Sequence, residues 1–232
     1  YSFAGTQLAA DAGCNLLEMI RAASHEGLGG WEKLSGIPGS VGGAIRGNAG
    51  AFGSEMKDFA TKVRAYDSET GEMREFENAV CDFSYRRSFF KDHPEWIVTR
   101  AYIELHRVDS SESARLAAET IAEREKRHLQ NVRAAGSFFM NPVAPQSIVE
   151  LFEKEKNVTS RENRVPAGWL IEKAGMKGAT EGGAIASVQH PNYIVNQDHA
   201  TSHDVRELSR RVKEAVKADS GVDLSEEAAF LG

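Results

Sequence analysis

Ten of the 21 glycines in this 232-residue chain fall between residues 27 and 53. The densest run reads Ser35-Gly36-Ile37-Pro38-Gly39-Ser40-Val41-Gly42-Gly43-Ala44-Ile45-Arg46-Gly47-Asn48-Ala49-Gly50-Ala51-Phe52-Gly53. Glycine has no Cβ, admits φ > 0 and lets backbone N–H groups come close to a ligand. Consecutive N–H groups in such a loop form a nest for anions, a pyrophosphate among them. The spacing is neither G-x-G-x-x-G nor G-x-x-x-x-G-K-[ST], so neither a Rossmann site nor a P-loop is indicated. The structural alternative is a long loop whose glycines serve only its turns. The glycine density and the ending Asn-Ala-Gly-Ala-Phe-Gly favour a bound phosphate or flavin.

Other chemistries are poorly supplied. Cys14 and Cys81 are the only cysteines. They form no CxxC or Cys/His spacing, so no metal and no disulfide framework are expected. No motif pairs Cys81 with a histidine, which argues against a thiol mechanism. The net charge of −6 and a pI near 5.7 lack the basic footprint of a nucleic-acid binder. No apolar run reaches the roughly 18–20 residues of a membrane span, so no membrane partner is expected. The cysteine usage fits a reduced cytoplasm. A 41% hydrophobic content is enough to bury a core, and the length fits one large domain or two small ones.

The elements that must position any site follow from periodicity. Asn15–Glu26 reads as a helix with Leu16, Ile20 and Ala23 on one face and Gly27 as its stop. Residues 27–53 read as loop. Thr61–Asp67 and Glu72–Glu77 read as strands around the turn Ser68–Gly71, and Trp96–His106 as another strand. Ser110–His128 is a helix with Leu116, Ala117, Thr120, Ile121 and Arg124 in register. Ile148–Glu155 and Ala167–Ala174 are shorter helices, and Ala184–Val188 and Asn192–Asn196 are strand-like. Thr201-Ser202-His203-Asp204 opens a helix with the stripe Val205, Leu208, Val212, Val216. Gly221 ends it, and Val222–Leu231 reads extended. Helices and strands without strict βαβ alternation indicate an α+β fold.

Five segments in order carry a resemblance. The glycine run is similar to the flavin-contacting loop of the UDP-N-acetylenolpyruvoylglucosamine reductase family. Cys81-Asp82-Phe83-Ser84-Tyr85-Arg86-Arg87-Ser88-Phe89-Phe90-Lys91 resembles that family's Tyr-Arg-x-Ser-x-Phe-Lys signature. Ala135-Gly136-Ser137-Phe138-Phe139-Met140-Asn141-Pro142 resembles its catalytic serine motif, with Met140 where Lys is common. The run Pro166–Gly178 matches closely, and Gly221-Val222-Asp223-Leu224-Ser225-Glu226-Glu227 resembles its Leu-Glu-x-Glu segment. No tyrosine-bearing insertion follows residue 100, as in the shorter, type II branch.

The resemblance implies a vanillyl-alcohol-oxidase-like FAD-binding domain, in part, over 1–126 and a smaller α+β substrate-binding domain over 127–232. It implies reduction of a UDP-sugar enolpyruvate by NADPH through FAD, in bacterial peptidoglycan precursor synthesis, by a cytoplasmic protein expected to be monomeric. The loop contacts to FAD carried over are Gly36, Ile37, Pro38, Gly39, Ser40, Gly42, Gly43, Asn48 and Gly50. Ser137 is the implied acid and Arg86 the charge-stabilising cation. Spacing alone does not separate Arg86 from Arg87; the resemblance does. Glu227 is the implied carboxylate by counting from Leu224. Glu226 is one slip away, because the chain reads Leu-Ser-Glu-Glu where Leu-Glu-Pro-Glu is usual. Successive strand residues face opposite sides, so one of the two points into the site. Tyr85, Asn141, His190 and Arg127 are implied substrate contacts. Another flavin oxidoreductase of the same fold, or an inactive fragment, is the alternative reading. The family's amino-terminal lobe carries a Gly-x-Gly-Ser-Asn type turn that these residues lack. The expectation is that the chain alone holds FAD weakly or not at all.

Overall fold

The computed structural model describes residues 1–127 and 132–230, the side chain of Arg127 excepted, and the chain divides into two units, 1–126 and 127–232. The first unit begins with β1 (Ser2–Ala4) and β2 (Gln7–Asp11), an antiparallel pair. Then come α1 (Leu16–His25), β3 (Leu28–Gly29), α2 (Val41–Arg46), β4 (Gly50–Ala51), β5 (Ser54–Glu55), β6 (Ala60–Asp67) and β7 (Met73–Glu77). α3 (Phe89–Asp92), β8 (Trp96–Glu104), β9 (His106–Arg107) and α4 (Ser110–Arg127) complete it. The main sheet is antiparallel throughout, in the order β1-β2-β8-β6-β7.

Period-two alternation decides which sheet face is buried. Leu8 and Ala10 of β2, Val63 and Ala65 of β6, and Ala101 and Ile103 of β8 are all solvent-inaccessible. They share one core with Leu16, Ile20 and Ala23 of α1 and Val41 and Ile45 of α2. Each fully buried Leu or Ile there contributes about 1.5–3 kcal/mol relative to exposure. Asn15 starts α1: its Oδ1 accepts from the Glu18 N–H at 3.1 Å, satisfying a donor that the first turn leaves orphaned.

The second unit contains α5 (Gln146–Lys156), α6 (Ala167–Lys173), a sheet of β10 (Thr180–Glu181), β11 (Ala184–Ala186) and β12 (Ile194–Asn196), and α7 (Ser202–Ser220). Thr201 and Asp204 form a reciprocal capping box at the start of α7, and Gly221 ends it in the left-handed region at φ 71°. Leu208, Val212 and Val216 are buried along its inner stripe with Phe139, Val165, Leu170, Ile171 and Leu224.

Three expectations change. Residues 41–46 are helix, not loop, because tertiary packing overrides the poor helix propensity of glycine; Ser40 caps the turn by accepting from the Gly43 N–H at 3.2 Å. Leu116 is 39% exposed, off the stripe of α4, and the inward face is taken by Ser113 and Ala117. After Gly221 the chain forms only one isolated bridge among the described residues, at Glu226.

Candidate active site

Short backbone bonds hold the glycine segment in the first unit. Gly39 C=O accepts from Leu16 N–H at 3.1 Å, Val41 N–H donates to Cys14 at 2.9 Å, and Gly42 N–H to Ala12 at 2.9 Å. A Cβ on Gly42 would stand 2.7 Å from Ala12 Cβ, and one on Gly50 2.8 Å from Ser54 O. These two glycines are required by close packing. Gly36 and Ile37 are half-buried, with Gly36 facing Ile121 and Arg124 of α4. The other side is bare: Pro38, Gly39 and Gly43 are exposed. A Cβ on Gly39 would meet nothing within 4 Å, and one on Gly43 only Ser40 Oγ at 3.6 Å. Gly39 needs its type for its φ of 121°, but no contact among the described residues requires glycine at 43. An exposed ridge with glycine at 39 and 43, at a capped helix start, fits the close approach of a flavin nucleotide.

Asn48 lies beneath this ridge. It is fully buried; its Nδ2 donates to Glu55 Oε2 and to the Ser84 carbonyl, both at 2.9 Å, and its Oδ1 accepts from Lys57 N–H at 3.0 Å. The side chain expected at the flavin is thus taken up in joining the glycine segment to the Ser84–Arg87 turn. In that turn Ser84 and Arg87 exchange both backbone bonds at 3.1 Å, leaving Tyr85 and Arg86 at the tip. Arg86 has φ 57°, a left-handed conformation costing a non-glycine residue roughly 1–2 kcal/mol. Its Nη1 donates to Gly50 O at 3.2 Å, and its guanidinium lies 5.4 Å from the Tyr85 ring centroid. Arg87 instead is exposed and pairs with Asp92 at 2.6 Å. The two arginines that spacing leaves equivalent differ here: Arg86 returns to the glycine segment and Arg87 turns to solvent.

In the second unit the serine motif, or serine strand, is a short segment with one isolated bridge, held between two partners. On one side Phe138 N–H donates to Asn192 O at 2.7 Å, and the Asn192 side chain makes a two-bond clasp with Phe139, both bonds at 2.9 Å. On the other side Met140 N–H donates to Ser225 O at 2.9 Å and Glu227 N–H to Phe138 O at 2.8 Å. The half-buried Ser137 and the half-buried Glu227 therefore flank the same peptide of Phe138. Glu226 faces α7, where Ser209 Oγ donates to it at 3.1 Å and Lys213 Nζ at 3.0 Å. Burial opposes its ionisation most, yet Lys213, its own N–H and Ser209 together hold the carboxyl below the usual range. Glu226 is thus committed to the helix, while the chain bends at Glu227, whose N–H and that of Ala228 both donate to Phe138 O, at 2.8 and 3.3 Å.

Asn141 Oδ1 accepts from Ala167 N–H at 3.0 Å, at the start of α6, and its backbone carbonyl accepts from Arg164 Nη1 at 2.8 Å. Gly168, in the first turn of α6, lies against Asn192 and His190; a Cβ there would meet Asn192 Cβ at 3.6 Å. The serine, Pro-Ala-Gly-Trp, Gln-His-Pro-Asn and carboxy-terminal motifs thus meet within one unit. His190 is half-buried, edge-on to Tyr193 with ring centroids 4.6 Å apart, and burial holds its imidazole toward the neutral form. The side chain of Arg127 lies outside the described residues. Asn192, Ser209 and Lys213, which hold the serine motif and Glu226 in place, were not singled out from the sequence; Asn192 stood in a quoted motif, but the helix partners of Glu226 had no sequence signal. Burial pushes the Cys81 thiol up to about 12, with Glu77 adding to the rise, which leaves it un-ionised at neutral pH.

Comparison with known proteins identifies the family. A family model described as UDP-N-acetylenolpyruvoylglucosamine reductase, C-terminal domain, matches residues 127–231, and one described as FAD binding domain matches residues 3–77. The UDP-N-acetylenolpyruvoylglucosamine reductase of Solibacter usitatus is 34% identical over 229 residues, covering 97% of this chain and 72% of that protein. Its namesake in Caldanaerobacter subterraneus is 37% identical, covering 98% and 68%. The crystal structure of the Thermus caldophilus reductase superimposes with a TM-score of 0.73 at 30% identity, covering 97% of this chain and 73% of that one. On this evidence the chain belongs to the UDP-N-acetylenolpyruvoylglucosamine reductase family.

Proposed function

We propose that this chain reduces UDP-N-acetylglucosamine enolpyruvate to UDP-N-acetylmuramate at the expense of NADPH, a step of peptidoglycan precursor synthesis. The first unit holds FAD and the second binds the nucleotide sugar. The observation that carries this reading is the Glu227 N–H bond to Phe138 O, which places a carboxylate-bearing residue beside the serine strand. When bound, FAD would supply hydride transfer from NADPH to the enolpyruvyl double bond. The protein's residues supply the rest. Negative charge develops on the carbon next to the substrate carboxylate, and a guanidinium stabilises it there with parallel hydrogen bonds. That role belongs to Arg86, whose backbone conformation is strained, as functional residues often are. The Ser137 hydroxyl delivers a proton to the carbon, completing the addition of one hydride and one proton. A serine hydroxyl is a weak acid, so position rather than acidity must make it effective. Glu227 orients that hydroxyl and returns a proton to the seryl oxygen.

No helix among the described residues is long and apolar enough to cross a membrane. The net charge of −6 speaks against a nucleic-acid partner; action in the cytoplasm as a monomer is part of the same proposal. The test is a Ser137→Ala protein loaded with FAD. Expected is unchanged bleaching of the flavin by NADPH, with turnover on the UDP-sugar reduced by roughly 10²–10⁴-fold. Turnover equal to that of the unmodified protein would remove the serine from the mechanism.

A further inference from the structure

Arg206, Ser209 and Lys213 recur at three- and four-residue spacing and so share one face of α7. All three grip the carboxy-terminal segment. Ser209 and Lys213 hold the Glu226 carboxylate, Lys213 reaching both oxygens at 3.0 and 3.2 Å. The Arg206 guanidinium lies 4.0 Å from the Phe230 ring centroid, and that ring meets Phe138 edge-on at 6.0 Å. Glu227 lies between these two attachment points. The backbone bonds on either side of the Phe139–Glu226 pair, Met140 N–H to Ser225 O and Glu227 N–H to Phe138 O, mark it as a pair that exchanges no bond of its own. The Glu226 N–H is therefore outside the ladder, and the side chain, not the backbone, ties this residue down.

We propose that this face of α7 is a positioning device for Glu227: by clamping Glu226 on one side and Phe230 on the other, it fixes which of two adjacent carboxylates stands beside the serine strand. Two glutamates in succession make the device necessary. A one-residue slip of the segment would exchange their faces and move the wrong carboxylate into place. The ion pair opposes that slip, because it can form only with Glu226 turned to the helix. The inference rests on the role given to Glu227 above.

The test compares Lys213→Met, Lys213→Arg, Glu226→Ala and Glu226→Pro in the FAD-loaded protein, measuring the two half-reactions separately. Lys213→Met and Glu226→Ala are expected to slow flavin reoxidation by the UDP-sugar roughly tenfold, the scale of a modest misplacement of a reacting group. NADPH-dependent flavin reduction stays within about twofold, since these residues touch only the protonation side. Lys213→Arg restores reoxidation by keeping the cation. Glu226→Pro also restores most of it, because proline removes an N–H that the ladder does not use and stiffens the segment. Independently of activity, Lys213→Met speeds amide exchange at Glu227 and Ala228 without exposing the core of α7. Wild-type reoxidation in both Lys213→Met and Glu226→Ala, or equal loss in both half-reactions together with a lower Tm, overturns the proposal. Glu227→Gln separates the two levels of the argument. If it reoxidises normally, the role of Glu227 has failed; if it is slow while the clamp variants are not, only the clamp has.

Discussion

The glycine ridge of the first unit and the serine strand of the second are held in place by opposite means. The ridge is fixed by what is missing. Gly42 and Gly50 have no room for a Cβ, and the chain beneath is locked by Asn48, a fully buried side chain bonded to Glu55, Ser84 and Lys57. The serine strand is fixed by what is added: the Asn192 clasp, the Glu226–Lys213 pair and the Arg206–Phe230 stack, of which only Asn192 is buried. A bare backbone ridge suits a ligand that must lie flat and stay bound. A strand between adjustable clamps suits groups whose side-chain tips must meet a reacting atom. Damage to the first should therefore appear as lost stability and lost flavin, and damage to the second as lost rate.

The largest stability effect is expected at Asn48. Replacing it by alanine strands the Lys57 N–H, leaves the Ser84 carbonyl only its bond from the Arg87 N–H, and puts a Cβ residue without a polar side chain at φ 41°. Leaving one such group unpaired costs about 1–3 kcal/mol, so with the other lost bonds and the strained backbone Asn48→Ala should destabilise by about 3 kcal/mol in urea unfolding. FAD titration should show weakened binding, because the ridge and the Arg86 turn lose their common support. A loss under about 0.5 kcal/mol, the range of ordinary surface changes, would mean that the ridge does not depend on its underside.

A pair of adjacent glycines sharpens the comparison further. Gly42→Ala forces a Cβ to 2.7 Å from Ala12 Cβ, an overpacking expected to cost about 1–3 kcal/mol. Gly43→Ala meets only Ser40 Oγ at 3.6 Å, inside a helix where alanine is favoured over glycine by roughly 0.5–1 kcal/mol. Gly43→Ala should therefore be as stable as the parent or more so, yet bind FAD more weakly, since its new methyl stands on the exposed ridge. Equal FAD affinity in the stabilised Gly43→Ala protein would move the flavin site away from this face.

These contrasts explain how much could be read from residues alone. α7 was legible because Thr201, Asp204, the Val205–Val216 stripe and Gly221 are local and mutually consistent signals. The β6–β7 hairpin was legible for the same reason. α2 was not, because its helix-forming reasons lie in Cys14 and Ala12, about 27–30 residues upstream, whose carbonyls accept from Val41 and Gly42. β1 and β2 were not, because three- and five-residue strands carry too little alternation to stand out. For the proposed site, motif order singled out Ser137, Arg86 and Glu227. What distinguishes Arg86 from Arg87, and Glu226 from its neighbour, is the partner each side chain finds, and those partners are distant in sequence or, for Asp92, indistinguishable from a surface pair.

The smallest effect should come from a clamp behind the serine strand, and it tests whether charge holds the second unit together. Glu155 of α5 accepts from Lys173 Nζ at 2.6 Å and from Trp169 Nε1 at 3.1 Å, both on α6. Those bonds, with Lys173 first, lower its carboxyl to about 2, although desolvation opposes the shift. A carboxyl depressed in the folded state stabilises it fully above the unfolded-state pKa of about 4.3, and loses that contribution as pH falls through the folded value. The Tm difference between the parent and Glu155→Gln should thus be constant near neutrality and close as pH drops from about 4 toward 2. It should be small throughout, because exposed pairs contribute little. Trp169 reports the same event locally: its emission, isolated by subtracting a Trp169→Phe protein, should shift over that pH range in the parent and not in Glu155→Gln. A Tm difference that stays constant down to pH 2 would mean that packing, not charge, joins α5 to α6, and the second unit would then resemble the first.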